Sequence, residues 1–448
     1  MPTIGVKRDL LFEALGQSYT ETEFDELCFE FGLELDEVVT ELNDAGKEEV
    51  VYKIEIGANR CYSEDCVWNC SLNFNVGRRY DLLCLEGLVR ALLVFQGKLK
   101  APLYRLEAPA GQLQQLVLDP SVASVRPHVI GAVLRGVTFN KARYNSFIDL
   151  QDKLHQNLAR KRTLASVGTH DLDTIQGPFR YMARPPQDIK FVPLNQTKEY
   201  TAAQLMELYA TDSHLKPYLP IIKDSPVYPV IYDAKDVVLS LPPIINGEHS
   251  KITLNTKNIF FEVTATDLTK ASIVLDTLVT MFSQYCDKPF TVEPVQTVLP
   301  GTSSSSIIVK VFEFQFTGGE ILTYPKLNSR TETVSAKKIN SNIGISLEPG
   351  RMSELLTKMC LSTIVAGDQL TVTIPPTRAD VLHPADIYED VAIAHGYNNI
   401  VKTIPRTLTV AKQLPVNKLT DQLREATAQA GFTEVCVVTR VDAVVMGS

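Results

Sequence analysis

The sequence predicts an α+β protein of several domains, in which mixed sheets pack against helices. Its 448 residues correspond to roughly three domains by the usual size of a domain. Segments that alternate like strands, among them VVYKIEI and IFFEVTAT, recur along the chain. Segments with apolar residues at helical spacing, such as RYDLLCLEGLVRALLVF, lie between them. Strands and helices that are mixed in this way indicate an α+β arrangement.

The bulk composition argues against several classes of protein. A hydrophobic content of 45 % is enough for packed cores, and no apolar run approaches the ~18 residues of a membrane span. The start MPTIGVKRDLL lacks the apolar core of a signal peptide, and 8 cysteines in so long a chain do not form a disulfide framework. We therefore expect a cytoplasmic protein that does not bind a membrane. A net charge of −8 argues against a generic binder of DNA or RNA.

Residues 1–115 are predicted to form the first domain. A short helix is expected over residues 7–15, and a second helix begins at Thr20, which can form a capping box with Glu23. Gly32 ends that helix. VVYKIEI then predicts a strand, and the helix of RYDLLCLEGLVRALLVF follows.

Residues 116–292 are predicted to form a second domain that mixes strands and helices. The segments predicted as strands are VIGAVLRGVTF, YPVIYD, VVLSL, KITLN and IFFEVTAT. A long helix is predicted around residues 144–163. Asn246-Gly247 is a strong turn signal, and Asp267 can cap the helix that follows the last strand.

Residues 293–405 are predicted to form a third domain, and residues 406–448 the start of a fourth. In the third domain the strand LTVTI precedes a helix that begins near Pro384 and ends at Gly396. Proline suits a first helical turn because its missing N–H would be unpaired there, and glycine suits a helix end.

Four carboxylates stand together at the start of this helix: Asp380, Asp386, Glu389 and Asp390. Residues three and four apart lie side by side on a helix, and Asp380 can reach the others from the preceding loop. Carboxylates this close raise each other's pKa unless a cation neutralises them. Hard oxygen ligands with room for water fit Mg²⁺ better than zinc, so the sequence predicts a magnesium site. The alternative is an ordinary helix start, where the helix dipole favours acidic residues that stay solvated.

The segment that holds these carboxylates, IPPTRADVLHPADIYEDVAIAHGYNNI, is similar to the metal-binding module of the phenylalanyl-tRNA synthetase beta subunit of archaeal and eukaryotic cytosolic type. Other segments resemble the same family and follow in the same order. They are VKRDLLFEALG, FDELCFEFGLELDE, VGTHDLDTIQGPF, YPVIYD, VVLSLPPIING and NKLTDQLREATAQAGFTE.

The resemblance implies functions that composition and spacing do not show. A beta subunit of this family assembles with an alpha subunit into a heterotetramer with two copies of each, and contacts tRNA(Phe). The alpha subunit activates phenylalanine with ATP and transfers it to the tRNA. The beta subunit supplies a scaffold, holds Mg²⁺ near the subunit interface, and proofreads by hydrolysing tRNA charged with tyrosine. The sequence lacks a P-loop, a GxGxxG after a strand and a nucleophile elbow, which agrees with a beta subunit.

The proofreading pocket is expected near the turn at Asn246. A pocket that hydrogen-bonds the tyrosine hydroxyl can reject phenylalanine, which lacks it. The candidate residues, on adjacent strand ends, are Leu239, Ser240, Asn246, Glu248, His249 and Ser250. Asn246 and Ser240 are the candidate hydrogen-bond donors to the oxyanion that develops during ester hydrolysis. Glu248 is the candidate acceptor for a water molecule or for the tyrosine hydroxyl. Without the resemblance, a hairpin turn with an exposed histidine explains the same residues.

Three segments depart from the family. Residues 61–78 and 301–316 interrupt stretches that are continuous in the family, and the chain after Val435 no longer resembles it. We expect these segments to be disordered loops or retained non-coding sequence, and the chain to stop before a large catalytic-like domain. We expect the proofreading domain to be complete within residues 129–286, which neither insertion interrupts, and therefore to fold even if its neighbours are damaged.

Two other functions fit the residues. One is a non-catalytic fragment that keeps surfaces for tRNA or a partner, and the other is a free-standing aminoacyl-tRNA deacylase. Arg160, Lys161 and Arg162, at the end of the long helix, are the best local patch for RNA, although a solvated helix end explains them equally well. Co-purification with an alpha subunit would distinguish the alternatives.

Overall fold

The structure is a computed structural model that describes residues 3–42, 46–57, 79–299, 321–403 and 412–434. The described residues up to Tyr397 form one compact body, and those after it belong to a second. The two insertions and the last residues, 61–78, 301–316 and 435–448, lie outside the described residues, so the expectations about them stay predictions. In the described part of the chain, no helix is both long enough and apolar enough to cross a membrane.

The N-terminal part consists of a three-stranded antiparallel sheet in the order β1-β3-β2, with helices packed on it. Its elements are β1 (Thr3–Lys7), α1 (Arg8–Leu15), α2 (Glu21–Phe31), β2 (Glu34–Leu42), β3 (Glu48–Glu55) and α3 (Leu85–Phe95). The predicted capping box is confirmed, because the Glu23 N–H donates to Thr20 Oγ1 at 3.3 Å and the Thr20 N–H donates to Glu23 Oε2 at 2.8 Å. Gly32 ends α2 with a φ of 87°, which glycine adopts without strain.

A large sheet forms the middle of the molecule. Its strands and the elements between them are β4 (Arg105–Leu106), β5 (Gln115–Leu118), β6 (His128–Leu134), α4 (Lys141–Gln156), β7 (Ala165–Asp171), β8 (Phe179–Arg184), β9 (Lys190–Phe191), β10 (Tyr200–Thr201), α5 (Ala202–Leu208), β11 (Tyr228–Tyr232), β12 (Val238–Leu241), β13 (Ile245–Asn246), β14 (Ile259–Ala265), α6 (Leu268–Phe282), β15 (Thr291–Val298) and β16 (Ile321–Tyr324). In the described residues, 11 strands form one sheet with the path β13-β12-β11-β8-β5-β15-β6-β14-β7, and β4 and β16 both pair with β15. Among the described strands, β9 and β10 pair only with each other.

The large sheet extends beyond the stretch in which we expected a complete domain. β5 lies between β8 and β15 and pairs in parallel with both of them. Both β5 and β15 fall outside residues 129–286, so the expectation that this stretch holds the whole domain is wrong. β15 also crosses the position between residues 292 and 293. The boundaries at 115/116 and 292/293 stay predictions.

The predicted long helix is present as α4, but two local predictions are wrong: its end near residue 163 and the strand KITLN. α4 ends at Gln156, and Arg160, Lys161 and Arg162 take φ values of 46°, 54° and 65°. This left-handed conformation costs about 1–2 kcal/mol for each residue with a side chain. KITLN is not a strand, because Thr253 N–H donates to the Thr256 hydroxyl at 2.9 Å, and such side-chain bonds compete with strand pairing.

The third part repeats the α+β pattern on a smaller scale. It contains β17 (Arg330–Ser335), α7 (Ala336–Ile343), α8 (Pro349–Lys358), β18 (Ser362–Ala366), β19 (Gln369–Ile374) and α9 (Pro384–His395), with the sheet order β17-β19-β18. The predicted strand LTVTI and the predicted helix from Pro384 are confirmed as β19 and α9. The second body contains α10 (Pro415–Gln429), whose side chains are exposed.

Helices α3 and α6 join the N-terminal part to the large sheet. Arg90 of α3 donates to the backbone carbonyls of Thr280 and Met281 at 3.2 Å and 3.3 Å, and to Gln284 Oε1 at 2.7 Å. Gly87, one turn earlier, permits this approach. A Cβ at Gly87 would lie 1.6 Å from the Asp81 carbonyl oxygen and 2.9 Å from Met281 Sδ.

We predict that Gly87→Ala lowers the free energy of unfolding by about 3 kcal/mol or more, because the added methyl group overlaps backbone that cannot move away cheaply. Gly111→Ala is the matched control, since nothing lies within 4 Å of its added Cβ. It should change stability by less than about 1 kcal/mol. Thermal and urea unfolding of the two variants measure the difference, and similar midpoints would contradict this account of the helix contact.

Candidate functional site

A cluster of buried polar side chains lies where strands from two ends of the large sheet meet. Glu262 on β14 is 1 % exposed and His170 on β7 is 0 % exposed. Ser240 on β12 donates from Oγ to Glu262 Oε1 at 2.7 Å. His170 Nδ1 lies 2.8 Å from Ser250 Oγ, and His170 Nε2 lies 3.8 Å from Glu262 Oε1. We call these four side chains the buried polar cluster.

The curvature of the sheet brings these residues together. β13 and β7 are at opposite ends of the strand path, yet Asn246 Nδ2 on β13 lies 3.4 Å from the Thr169 carbonyl oxygen on β7. Ser240 pairs with Asn246 in the β12–β13 hairpin. Side chains from the two ends of the path therefore face the same small interior space.

Gly168 makes room for the cluster. The register of β14 and β7 places Glu262 opposite Gly168 and Phe260 opposite His170. A Cβ at Gly168 would lie 2.1 Å from Glu262 Oε1 and 2.9 Å from His170 Nε2, so any side chain there would displace both polar groups. Phe260 stacks on Phe179 with ring centroids 4.3 Å apart, which makes the surroundings apolar.

Two atoms of the cluster have no hydrogen-bond partner among the residues that the structure describes. His170 Nε2 and Glu262 Oε2 are both buried without one, although buried polar atoms in proteins are nearly always paired. A hydroxyl group placed between them could donate to Glu262 and accept from His170 in the tautomer with its proton on Nε2. These two atoms could therefore bond one hydroxyl group in apolar surroundings.

The structure brings part of the predicted pocket together. Leu239 is buried in the apolar core beside Phe260. Ser240 and Ser250 belong to the buried polar cluster, and Asn246 lies half-buried next to it.

The acceptor that we predicted is placed elsewhere. The Asn195 N–H donates to Glu248 Oε2 at 2.5 Å, and Lys251 forms an ion pair with Glu248 Oε1 at 3.6 Å. Glu248 thus holds a surface loop, and Glu262 is the carboxylate at Ser240. His249 is exposed; partial desolvation, with His170 nearby, lowers the pKa of His249, which favours the neutral ring.

Sequence reasoning missed Glu262 and His170, and a signal for Glu262 was present. Glu262 interrupts the apolar strand IFFEVTAT, and a charged residue within a buried strand is rare unless it is paired or functional. His170 in VGTHD carries no comparable signal. Only the register between β14 and β7 shows that the two side chains meet.

The predicted basic patch is smaller than expected. Arg160 and Lys161 are exposed, but Arg162 is half-buried. Its guanidinium lies 4.1 Å from the centroid of the Tyr218 ring. Arg162 is therefore a packing residue and does not present its charge to RNA as the sequence suggested.

Two of the four acidic residues near α9 bond an arginine that we did not single out. Arg378 is 1 % exposed. Its Nε and Nη2 donate to the two oxygens of Asp380, each at 2.9 Å, and Nη2 also donates to Asp390 Oδ2 at 2.7 Å. Burial alone would lower the pKa of Arg378, but Asp380 and Asp390 raise it well above its ordinary value. The buried cation of this cluster is a guanidinium.

Asp386 caps the start of α9 and does not bond Arg378 in the way that Asp380 and Asp390 do. Its Oδ2 accepts hydrogen bonds from the backbone N–H groups of Leu382 and His383, each at 2.8 Å, and His383 Nδ1 accepts from the Ala385 N–H at 3.1 Å. This is a capping box at the start of α9, and it satisfies N–H groups that lack partners inside the helix. Glu389 is half-buried on the same helix.

The residues therefore do not fit a magnesium site built from all four carboxylates. Mg²⁺ needs oxygen atoms that point to one centre in near-octahedral geometry, whereas three of the four carboxylates here point to Arg378 or to backbone N–H groups. Among the residues that the structure describes, no group of three or more His, Cys, Asp or Glu side chains is arranged to hold a metal ion. The prediction that Asp380, Asp386, Glu389 and Asp390 together bind one magnesium ion is corrected: Asp380 and Asp390 bond Arg378, and Asp386 caps α9.

We predict that Arg378→Met lowers the free energy of unfolding by about 3–5 kcal/mol, because it leaves Asp380 and Asp390 buried without their counter-charge. Arg351→Met is the control, since the Arg351–Glu354 ion pair at 2.6 Å is exposed and should contribute about 0.5 kcal/mol. Chemical denaturation in buffer with EDTA measures both. If Arg378→Met were as stable as the control, the carboxylates would not depend on this arginine.

Comparisons with known proteins give one consistent result. Family models match at a Phe-tRNA synthetase beta subunit B1 domain over residues 1–66, a B3/4 domain over residues 127–295 and a tRNA synthetase B5 domain over residues 332–397. The buried polar cluster falls within the second match, and Arg378 with its carboxylates falls within the third.

Whole-chain comparisons agree with the family models. The chain is 57 % identical over 439 residues to a phenylalanine–tRNA ligase beta subunit of Drosophila melanogaster. That alignment covers 98 % of this chain and 70 % of the Drosophila protein. It is 48 % identical over 452 residues to a cytoplasmic phenylalanine–tRNA ligase beta subunit of Arabidopsis thaliana. That alignment covers 97 % of this chain and 69 % of the Arabidopsis protein. A crystal structure of an N-terminal fragment of the phenylalanyl-tRNA synthetase beta subunit from Pyrococcus horikoshii superposes with a TM-score of 0.71 at 27 % identity, over 88 % of this chain and 99 % of that one.

Proposed function

Because this chain belongs to the phenylalanine–tRNA ligase beta-subunit family and is thus an aminoacyl-tRNA synthetase subunit, we propose that it removes tyrosine from mischarged tRNA(Phe). We also propose that it supports the ATP-dependent charging of tRNA(Phe) with phenylalanine by an alpha subunit. The observation that carries the editing proposal is the buried polar cluster, with its two unpartnered atoms on His170 and Glu262.

The cluster suits the difference between the two amino acids. Tyrosine differs from phenylalanine by one hydroxyl group, and that group could donate to Glu262 Oε2 while it accepts from His170 Nε2. Phenylalanine would leave both buried atoms without partners. A site built to hydrogen-bond a substrate hydroxyl rejects the analogue without it by about 10⁴–10⁵-fold. The stacked rings of Phe260 and Phe179 would contact the apolar part of either side chain.

The chemistry itself requires little from the protein. The oxygen of a water molecule attacks the ester carbonyl carbon, a new C–O bond forms, and the bond from that carbon to the ribose oxygen breaks. The ribose oxygen leaves with a proton from the water, so free tyrosine and uncharged tRNA result. Positioning the ester and donating to the developing oxyanion are the main contributions that a protein can make.

Of the two predicted oxyanion donors, Asn246 is the better candidate. The Ser240 hydroxyl proton is already donated to Glu262 at 2.7 Å. The contact of Asn246 Nδ2 with the Thr169 carbonyl oxygen is long, at 3.4 Å, and long hydrogen bonds are weak. Asn246 can therefore exchange this contact for one with the substrate at small cost.

We predict that Glu262→Gln lowers kcat/KM for hydrolysis of tyrosyl-tRNA(Phe) about tenfold to a hundredfold, since it removes a charged hydrogen-bond acceptor. Glu248→Gln, the same change at the surface carboxylate, should alter it less than threefold, a difference of about 0.6 kcal/mol. Deacylation of tyrosyl-tRNA(Phe) and phenylalanyl-tRNA(Phe) by the full chain assembled with an alpha subunit measures both variants.

The outcomes of this experiment separate the alternatives. If Glu248→Gln lowered kcat/KM for hydrolysis of tyrosyl-tRNA(Phe) and Glu262→Gln did not, Glu248 in the turn would be the acceptor. The pocket proposed here would then be overturned. Equal hydrolysis of the two esters by the unmodified protein would indicate that this part of the protein serves as a scaffold and does not edit. Hydrolysis of tyrosyl-tRNA(Phe) by the chain alone, at the rate of the assembled enzyme, would favour a free-standing deacylase.

The assembly is proposed on the basis of the family. We propose a cytoplasmic heterotetramer of two alpha and two beta subunits that binds tRNA(Phe), with ATP and phenylalanine at the alpha subunit. The domains would be those predicted from the sequence, at residues 1–115, 116–292, 293–405 and 406–448. Mg²⁺ is the proposed cofactor of the assembled enzyme, as the family resemblance implies.

We predict that the chain co-purifies with an alpha subunit of the same enzyme, and that the pair charges tRNA(Phe) while the chain alone does not. A co-expressed, affinity-tagged alpha subunit and an aminoacylation assay with radiolabelled phenylalanine measure this. Recovery of the chain only as a separate species would favour the fragment that keeps binding surfaces without taking part in ligation.

A further inference from the structure

An unusual backbone turn lies between α4 and β7, close to the buried polar cluster. Arg160, Lys161 and Arg162 are three consecutive residues in the left-handed region, although none is a glycine. A conformation of this kind persists only when the surrounding structure holds it, and it tends to occur at active sites, ligand clamps and switch regions.

Arg126 holds the end of this turn. It is 1 % exposed, and its Nη1 donates to the backbone carbonyls of Arg162 and Thr163, each at 3.2 Å. Its Nη2 donates to the Thr264 carbonyl at 2.8 Å, and its Nε to Thr264 Oγ1 at 3.3 Å. Thr264 is two residues from Glu262 on β14, so both side chains lie on the same face of that strand. Arg126 thus connects the turn to the strand of the pocket carboxylate.

Arg162 extends from the turn to the β12–β13 hairpin. Its Nη1 donates to the carbonyls of Pro243 and Ile244 at 3.2 Å and 3.0 Å, and its guanidinium lies over the ring of Tyr218. Pro243 and Ile244 form the loop between β12, which carries Ser240, and β13, which carries Asn246. Planar stacking together with donation to carbonyls is a combination that arginine makes and lysine does not.

The two arginines complete a closed path of contacts. One route from Glu262 to Ser240 is the direct hydrogen bond of 2.7 Å. The other leads from Thr264 through Arg126, the left-handed turn and Arg162 to the hairpin loop. The second route reaches the hairpin through contacts that do not include the first bond.

We propose that Arg162 is a positioning residue for the pocket, which holds the β12–β13 hairpin so that Ser240 and Asn246 stay aligned with Glu262 and thereby maintains selectivity for tyrosine. This inference rests on the proposed editing function. Arg162 touches neither the ester nor the pocket carboxylate, so its effect comes entirely from the position of the hairpin.

The test compares Arg162→Met with Arg160→Met in the full chain assembled with an alpha subunit. The two positions share the same turn and the same backbone conformation, but Arg160 is exposed. We expect Arg162→Met to lower kcat/KM for tyrosyl-tRNA(Phe) about tenfold to a hundredfold, as misplacement of catalytic groups does, and to reduce the preference for tyrosyl over phenylalanyl ester. Arg160→Met should match the unmodified protein, and Arg162→Lys should restore part of the loss.

A second measurement does not depend on editing. The Gly247 N–H donates to the Leu239 carbonyl at 2.7 Å, and the Ile244 N–H to the Leu241 carbonyl at 2.8 Å. Hydrogen exchange at these two amides should become at least tenfold faster in Arg162→Met and stay unchanged in Arg160→Met. Unchanged exchange together with unchanged hydrolysis in Arg162→Met would overturn the inference.

The two proposals can fail separately. If the unmodified enzyme does not hydrolyse tyrosyl-tRNA(Phe), the proposed function is wrong, while faster exchange in Arg162→Met still supports the role of Arg162 in holding the hairpin. If Arg162→Met does not fold, Tyr218→Leu decides when it is compared with Tyr218→Phe. Both variants lose the hydrogen bond from Gln156 Nε2 to the Tyr218 hydroxyl, but only leucine also removes the stacking contact, and both carbonyl bonds of Arg162 stay possible. Normal exchange and hydrolysis in Tyr218→Leu and Arg162→Lys would then overturn the inference.

Discussion

The curvature of the large sheet is the constraint on which the candidate pocket depends. Strands β12–β13 and β14–β7 are at opposite ends of the strand path, and their side chains meet only because the sheet bends on itself. Two hydrogen bonds mark this meeting, Ser240 to Glu262 and Asn246 to Thr169. The interior that results is so narrow that β7 needs a glycine, Gly168, opposite the carboxylate.

Two buried arginines hold different parts of this molecule, and they do so by different means. Arg126 donates to backbone carbonyls and one hydroxyl, with no carboxylate of the described residues bonded to it, and burial lowers its pKa. Arg378 is paired with two aspartates, which keep it charged. Arginine suits both sites because its planar group presents several donors in fixed directions. In each case the charge organises the backbone around it and is not available to an external ligand.

The sequence was sufficient for the elements with strong local signals. Thr20 with Glu23, Gly32 and Pro384 marked helix ends that the structure confirms, because capping depends on residues only three or four positions apart. The α+β class followed from alternating and helical segments in the same chain. The resemblance to a synthetase beta subunit, carried by motifs along most of the chain, was also confirmed by the comparisons.

Features that depend on distant contacts could not be predicted in this way. Glu248 follows strand β13 and Glu262 lies in the middle of β14, and only the folded structure shows which of the two carboxylates is buried at Ser240. The acidic group near α9 suggested an external cation, but the arginine two residues before Asp380 supplies the charge. That outcome depends on burial, since an exposed arginine at the same spacing would leave the carboxylates solvated.

The position of β5 has a practical consequence for anyone who wishes to produce the pocket as an isolated fragment. β5 lies outside residues 127–295, the range of the B3/4 match, yet it fills the place between β8 and β15. A fragment cut at those limits would open a gap inside the sheet, with unpaired backbone N–H and C=O groups on both sides. Such open edges recruit strands from other copies of the chain. Recombinant fragments should therefore start before Arg105, so that β4 and β5 are retained.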